Sequence, residues 1–454
     1  MMLTIIADAG DVTLEQGARD VAARLANAGY IAYWAGGCVR DRLLGRHPKD
    51  YDIVTSARPD QIEALFPKTV AVGKAFGVVG VCHAGHWYEV ATFRRETGYS
   101  DGRRPDTVAF ADPEADAGRR DFTVNALFYD PFTDRVIDYV AGQRDLAARR
   151  IRAVGCPAER YREDHLRMLR AIRFAVTLDF ELERETLAAI APLAHRLERI
   201  SAERIRDELV RLAVDGAQPG KGLQYLYDTG LLAVILPEVA AMVGVEQPPQ
   251  FHPEGDVFTH TRLMWDLLPQ PRSAELAMAV LLHDVGKPVT ARPGPGRDGE
   301  WRIRFDGHDQ AGARLAKTIL HRLRFSNVFT ETVVLAVHNH MRFMHVQEMR
   351  RAKLRAMVAA PTFELELELH RLDCLASHGD LGHYHFLRRF QQELATEPRL
   401  PAPLVNGHDV MGLGVPRGPS VGQWLQWAYD EQLEHEVKDR ENLLQRLAER
   451  VAAG

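Results

Sequence analysis

Asp50 and Asp52 stand two residues apart in "GRHPKDYDIVTSARP", Gly45 to Pro59, beside a short apolar run. In a strand, residues i and i+2 project to one side. The spacing predicts both carboxylates on one face, close enough to hold Mg²⁺ between hard oxygen ligands. A lone D-x-D is more commonly a solvated strand edge, so the pair needs company. Glu89 in "YEVATFR" falls on another predicted strand and is a candidate third oxygen ligand. In "GGCVRD", Gly36 and Gly37 follow a strand and precede a helix, where bare backbone N–H groups and a helix N-terminus favour phosphate. Together these residues predict phosphoryl transfer with two metal ions. The metals would lower the pKa of an attacking hydroxyl and steady the charge on phosphorus and the leaving pyrophosphate. Lys74, Arg94, Arg119 and Arg120 are candidate phosphate partners.

A second constellation lies downstream. "FTHTRLMWD", "LLHDVGKP", "FDGHDQAGARLA", "VHNHMRF" and "HRLDCLASHGD" contribute His260, His283, Asp284, His308, His340 and Asp373. Imidazole with carboxylate is a ligand set for Mn, Fe, Co, Ni or Zn. His338 is two residues from His340, so the sequence leaves open which of them faces the site. A metal-activated water would hydrolyse a phosphoester, with Lys287 placed to steady the phosphate.

These side chains need elements to carry them. Thr13 to Ala28 reads as an amphipathic helix, with Val21, Leu25 and Ala28 on one stripe and Gly29 as its stop. "YIAYWAGG", "DYDIVT", "AVGKAFGVVGVCHAG" and "WYEVATFR" read as strands punctuated by Gly. From about Gln143 helical periodicity takes over. In "EDHLRMLRAIRFAV", Leu166, Leu169, Ile172 and Val176 line one face. "QPGKG", "VEQPPQFHPEGD" and "VPRGPSVGQW" are breaks, and "TARPGPGRDGEWRIRFDGHD" reads as a loop with a short hairpin. At 454 residues the chain is long for one core and predicts several domains. A hydrophobic share of 46% and a charged share of 26% are those of a soluble globular protein. There is no apolar run long enough for a membrane span, and "MMLTIIADAGDVTLEQGARD" lacks a secretory pattern. Cys38, Cys82, Cys156 and Cys374 match no zinc spacing, which predicts free thiols in a reducing cytoplasm. The net charge of −5 means that any nucleic-acid binding must come from local basic patches.

The ordered series "GGCVRD", Asp50/Asp52, "EVATFR", "DGRRPDTVAF", "RRDFTVNAL" and "EDHLRMLRAIRFA" resembles the class II tRNA nucleotidyltransferases, with close cousins among bacterial poly(A) polymerases. The likeness runs from about Tyr33 to about Leu212. It implies that Asp50 and Asp52 bind the catalytic Mg²⁺ with Glu89 beside them. It places Gly36, Gly37, Arg40, Arg119, Arg120, Asp121 and Asn125 at the nucleotide. The EDxxR motif serves that family as an amino-acid template for the incoming base, which here means Asp164 and Arg167, followed by Arg170. A carboxylate accepts from the exocyclic amine of cytosine or adenine, and a guanidinium donates to ring acceptors. Asp164 and Arg167 are expected three apart on one helix, sharing a face. The plainer reading of "EDHLR" is a Glu163–Arg167 salt bridge at i,i+4, worth about 0.3–0.5 kcal/mol. The basic run Arg144, Arg149, Arg150, Arg152, Arg160, Arg162, Arg170 and Arg173 is expected on RNA phosphates. In "SAERIRDEL", Glu203, Arg204 and Glu208 are expected to brace the helices.

The downstream residues resemble the HD phosphohydrolase superfamily, "HDVGKP" most of all. By that resemblance His260, His283, Asp284 and Asp373 hold one ion, Mn²⁺, Ni²⁺ or another transition metal, and His308 and His340 help hold a second. The fold expected is an α/β nucleotidyltransferase head, a small mixed β-sheet with helices, followed by all-α neck, HD and tail regions, α+β overall. The expected domains are a head at 1–142, a helical neck at 143–240, an HD domain at 241–390 and a helical tail at 391–454. The activity implied is CCA addition to tRNA from CTP and ATP, with HD phosphohydrolysis alongside, in the cytoplasm and away from membranes. "RETGYSDGRRPDTVAF" fills the loop that CC-only members lack, which disfavours CC-only addition. A-only addition and poly(A) polymerisation are the alternatives. A protein uridylyltransferase, or an HD hydrolase with an RNA-binding front half, fits less well. The sequence does not fix an oligomeric state.

Overall fold

The Thr13 side chain accepts from Gln16 N and starts the helix Leu14–Asn27, whose Val21 and Leu25 are buried. Gly29, at φ +87°, ends that stretch in a left-handed conformation that only glycine adopts freely. The computed structural model describes residues 12–99, 102, 105–296, 299–394 and 400–453. The first eleven residues of the opening stretch, and Arg103 and Arg104 of the loop before the RRD motif, lie outside them. Two units emerge, Met1–Pro237 and Glu238–Gly454, and each is taken by itself.

In the first unit the strands are β1 (Ala32–Ala35), β2 (Asp52–Thr55), β3 (Thr69–Gly73), β4 (Val78–His83), β5 (His86–Thr92), β6 (Arg94–Thr97), β7 (Thr107–Phe110), β8 (Phe128–Asp130) and β9 (Arg135–Ile137). Among the described residues, seven of them form one sheet in the order β3-β4-β5-β2-β1-β8-β9. The sheet is mixed as expected: β2 and β5 run parallel, and the other pairs are antiparallel. Strands at its centre read as apolar runs because both faces are covered. Val21, Leu25, Trp34, Ile53 and Val90 pack on one face, and Ala35, Val54, Phe93 and Phe128 on the other. β6 and β7 pair as a separate antiparallel ribbon within the segment read as a loop. Beyond it the unit is mainly helical, with Pro157–Glu163, Arg167–Leu178 and Ala202–Asp215 leading to the second motif group.

Among the described residues the regular structure of the second unit is helical apart from the hairpin Arg292–Pro295 with Trp301–Arg304, as "TARPGPGRDGEWRIRF" predicts. The helix Ala274–Leu282 is buried from Leu276 to Leu282, and Ser273 caps its N-terminus. It is apolar nearly all round, which is the pattern of a helix enclosed by others. Val257–Asp266, His308–Arg322, Asn327–Asn339 and Phe363–Ala376 complete the set that carries the histidines. Further cores gather around Phe343, Phe363 and Phe390, and around Val410, Leu443 and Leu447. All four cysteines are free thiols. No helix among the described residues is long and apolar enough to cross a membrane.

Candidate functional sites

The acidic pair is not built as the strand argument predicts. β2 begins at Asp52, so Asp50 lies in the irregular segment before it and the i,i+2 rule does not apply to the pair. The sheet register supplies the convergence instead: Asp52 is paired with Glu89 on β5 and with Ala35 on β1. Asp50, Asp52 and Glu89 line one pocket of about 350 Å³, together with Val70, Val72 and Trp87. Asp52 is open to solvent on the pocket side, yet the protein packed around its carboxylate, then Asp50 and Glu89, lift its pKa to about 6 against the pull of Arg120. Three acidic side chains held together in this way favour a divalent cation. Gly36 sits at φ +75°, and a Cβ there would come 3.2 Å from Arg120 Nη1 and 3.9 Å from Asp52 Oδ2. The missing side chain leaves room between the acidic group and a guanidinium.

The remaining motif residues form one polar chain. Arg40 Nη1 donates to Asn125 Oδ1 at 2.7 Å, and Asn125 Nδ2 donates to Asp121 Oδ1 at 3.3 Å. Arg170 grips Asp121 Oδ2 at 2.6 and 2.9 Å. Although burial alone would raise it, Arg170 and Arg167 hold the Asp121 carboxyl below its usual range. Arg120 Nη1 donates to Asn125 O at 3.3 Å. Gly37 lies beside Arg40, where a Cβ would come 3.8 Å from Nη2.

The template pair departs from expectation. Asp164 ends the helix Pro157–Glu163 with extended backbone, φ −135° and ψ 107°, and Arg167 opens the next helix. The two therefore share no helix face. Arg167 donates to Glu163 Oε2 at 2.6 Å, the plainer reading of "EDHLR", and also to Arg119 O at 2.9 Å. Asp164 is held by Arg204, 2.9 Å between Nη2 and Oδ2. Arg204 was expected to brace the helices, and the partner it takes is Asp164, the carboxylate expected at the base. Glu208 pairs with Arg173 at 2.5 Å.

Several expected phosphate partners are already engaged. Lys74 bonds Asp60 and Glu63 at the surface, and Arg94 pairs with Glu96. Arg119 and Arg120 both converge on Asp116, a buried carboxylate that the sequence reading passed over. From the basic run, Arg149, Arg152, Arg160, Arg170 and Arg173 each pair with a carboxylate, so it is not a bare cationic stripe.

In the second unit the six expected residues do converge. His260, His283 and Asp373 offer ligand atoms within 4.8 Å of one another, and so do Asp284, His308 and His340. Asp284 was expected with the first group. Its Oδ2 lies 3.1 Å from His283 Nε2 and its Oδ1 3.5 Å from His308 Nε2, so it faces both groups. His340 is buried and faces inward, whereas His338 is exposed. Lys287 bonds Asp284 Oδ2 and Gln247 Oε1, each at 2.6 Å, which commits the ammonium expected on phosphate.

The ring nitrogens say what the cluster needs. Nδ1 of His283, His308 and His340 points at the carbonyls of Val280, Phe305 and Val337, at 2.6 to 2.7 Å. A carbonyl only accepts, so each Nδ1 carries the proton and Nε2 of the neutral ring is a bare acceptor. Yet His308 Nε2 and His340 Nε2 lie 3.0 Å apart. His260 Nε2 stands 3.1 Å from Asp373 Oδ1. The Nε2 atoms of His260 and His283 are buried without a hydrogen-bond partner. Acceptors pressed together call for a cation among them, and imidazole with carboxylate suits a divalent transition metal. Burial, with His308 and His283 nearby, pushes the His340 pKa down to about 3, so the ring is neutral and free to coordinate. Burial also opposes charge on His260, but Asp373 and Glu254 outweigh it and lift the pKa to about 9. A proton there competes with metal. Sequence reading missed Glu254 and His252, although "FHPEGD" places both just ahead of His260.

Three stretches match known families: residues 32–152 the Poly A polymerase head domain, 179–243 the probable RNA- and SrmB-binding site of polymerase A, and 256–376 the HD domain. This chain carries the head and RNA-binding domains of the poly(A) polymerase family together with an HD domain. The CCA-adding enzyme of Lactobacillus johnsonii is 49% identical over 207 residues, which is 45% of this chain and 51% of that protein. The counterpart in Levilactobacillus brevis is 48% identical over 215 residues, 47% of this chain and 54% of that one. The chain spans about half the length of the curated relatives it matches. The crystal structure of the Bacillus stearothermophilus CCA-adding enzyme in complex with CTP is similar over 96% of this chain and 98% of that one, at 28% identity and a TM-score of 0.70. A Thermotoga maritima CCA-adding enzyme complexed with tRNA shares the fold at 19% identity and a TM-score of 0.61, over 96% and 94% of the two chains.

The raised Asp52 pKa sets a stability signature. A carboxyl whose folded pKa exceeds its unfolded value loses stability as pH rises from about 4 through about 6. In chelator at pH 7.5, Asp52→Asn should therefore stabilise the fold by about 1 kcal/mol, after allowing for screening of an open carboxylate, and so raise the melting temperature. The difference should vanish below pH 4. A variant less stable than the parent at pH 7.5 would contradict the electrostatic account. In the second unit, a Cβ on Gly286 would meet His308 O at 2.2 Å and Gly312 N at 2.6 Å. Gly286→Ala should push Asp284 away from His308, costing about 1–3 kcal/mol and weakening metal binding together. Thermal melting and metal titration test this, and unchanged metal affinity counts against it.

Proposed function

We propose that this chain adds nucleotides to the tRNA 3′ end without a nucleic-acid template, building CCA from CTP and ATP. The observation that carries the reading is the Asp50–Asp52–Glu89 group around one pocket, with Gly36 opening a path from Asp52 to Arg120. Asp50 and Asp52 would hold Mg²⁺, which supplies Lewis-acid activation of the terminal hydroxyl and charge neutralisation at the leaving pyrophosphate. Glu89 adds a third carboxylate to that charge field. Arg120, beside Gly36, is placed to orient a triphosphate, and the Arg40–Asn125–Asp121–Arg170 chain fixes the turn that carries it.

Asp164 and Arg167 read the base. A cytosine or adenine amine takes over from Arg204 on the Asp164 carboxylate, and ring acceptors take over from Glu163 on Arg167. The match to a relative solved with CTP supports cytosine addition, and the relative complexed with tRNA supports the RNA partner. The domain plan that suits this work is a head at 1–142, a neck at 143–240, an HD domain at 241–390 and a tail at 391–454. The HD cluster would hold Mn²⁺, Ni²⁺ or a similar ion, supplying activation of water for phosphoester hydrolysis. His260, His283, Asp284, His308, His340 and Asp373 are its ligands in this reading. The setting is cytoplasmic.

Three tRNAs, ending before the first C, before the second C and before the A, offered CTP and ATP separately and together, test the activity. Sequenced products should end in CCA from every substrate, and Asp50→Ala and Asp52→Ala should each abolish addition while leaving tRNA binding intact. Products carrying only A, or an A tail, would overturn the reading. Asp164→Ala should admit UTP and GTP, lowering base discrimination about 10- to 100-fold with little change in tRNA affinity. An equal loss of affinity and discrimination would mark Asp164 as structural.

A further inference from the structure

The four histidines of the candidate metal cluster, His260, His283, His308 and His340, are not held alike. His283, His308 and His340 each direct Nδ1 to the main-chain carbonyl three residues earlier. For His260 that carbonyl belongs to Val257, which accepts from the Thr261 hydroxyl at 2.9 Å. His260 Nδ1 instead meets Glu254 Oε1 at 2.6 Å. The same oxygen meets His252 Nδ1 at 2.9 Å, with the two rings edge to face at 5.0 Å. An ionised carboxylate only accepts, so both imidazoles donate to it. Glu254 Oε2 is buried without a hydrogen-bond partner, and among the described residues no Lys or Arg pairs with this carboxylate. Besides the Glu254 backbone N–H, the two rings are the groups that hold it.

We propose that Glu254 is a positioning residue for the metal centre: it holds His260 as the Nδ1–H tautomer and turns Nε2 toward His283 and Asp373, with His252 fixing the carboxylate from behind. The proposal rests on the metal reading of the HD cluster given above. A carboxylate behind a ligating imidazole orients the ring and makes its free nitrogen more basic than a carbonyl does. The ion held by His260, His283 and Asp373 should therefore depend on Glu254, and the one held by Asp284, His308 and His340 should depend on it much less.

The test uses the full chain, stripped with a chelator and titrated with Co²⁺ at pH 7.5. Visible absorption and competition with a chelating dye report affinity. Wild type should bind, and Glu254→Gln should lose about 10- to 100-fold in affinity for one ion. His252→Ala should lose less. Both variants should keep the melting temperature of the stripped protein and full nucleotide addition, which separates positioning from a folding defect. A second measurement needs no variant: imidazole ¹⁵N shifts of the zinc-loaded wild type should show His260 protonated at Nδ1. Wild-type affinity in Glu254→Gln, or His260 protonated at Nε2, overturns the proposal. A wild type that binds no Co²⁺, like His283→Ala, overturns the metal reading itself and the proposal with it.

Discussion

Groups of like polarity are pressed together in both units, closer than they would sit unaided. In the head, Asp52 is crowded by Asp50 and Glu89 until its pKa rises to about 6. In the second unit, two imidazole Nε2 atoms face each other at 3.0 Å. Such contacts are unfavourable when the groups stand alone, and they persist because the surrounding structure is rigid. The sheet register that sets Asp52 opposite Glu89 cannot relax without unpairing β2 from β5. The ring orientations cannot relax without breaking the Nδ1 bonds to carbonyls. What the fold holds ready in each place is a concentration of lone pairs that a cation relieves.

The two units reach this by different construction. In the head, a mixed sheet covered on both faces brings one acidic residue from each of two adjacent parallel strands to a common edge. In the second unit, no strand is involved. Ligand residues sit near the ends of helices: His283 just after Ala274–Leu282, His308 at the start of His308–Arg322, and His340 just after Asn327–Asn339. Near an end, an imidazole can reach the carbonyl three residues back and still face inward. Gly286 lets two of these segments approach to a distance that no side chain would allow.

Much of this was legible in the residues, and the failures have physical causes. The helix at Leu14–Asn27, the strands β1 to β5, the mixed character of the sheet and the convergence of the six His/Asp residues follow from pattern and motif order, whereas β6 to β9 were not read as strands. Spacing alone misplaced Asp50, because a strand boundary at Asp52 cannot be read from "KDYDIV". It misplaced Asp164 for the same kind of reason: "EDHLR" keeps helical character in sequence, while the chain breaks between Glu163 and Arg167. Partners distant in the chain were harder still. Arg204 reaches Asp164 across forty residues, with no local signature for the pair, whereas Asp116 collects Arg119 and Arg120 at i,i+3 and i,i+4, a local spacing that was passed over. Glu254 was hidden in a Pro/Gly-rich stretch that reads as a joint.

The Arg204–Asp164 pair has a bearing on how a half-buried carboxylate is kept in place. Left alone next to Glu163 in the chain, the Asp164 carboxylate would repel its neighbour and draw in stray cations. With the Arg204 guanidinium against it that charge is compensated, and any group that replaces Arg204 must offer at least as good a donor. Poor competitors are turned away before they are ever tested for shape.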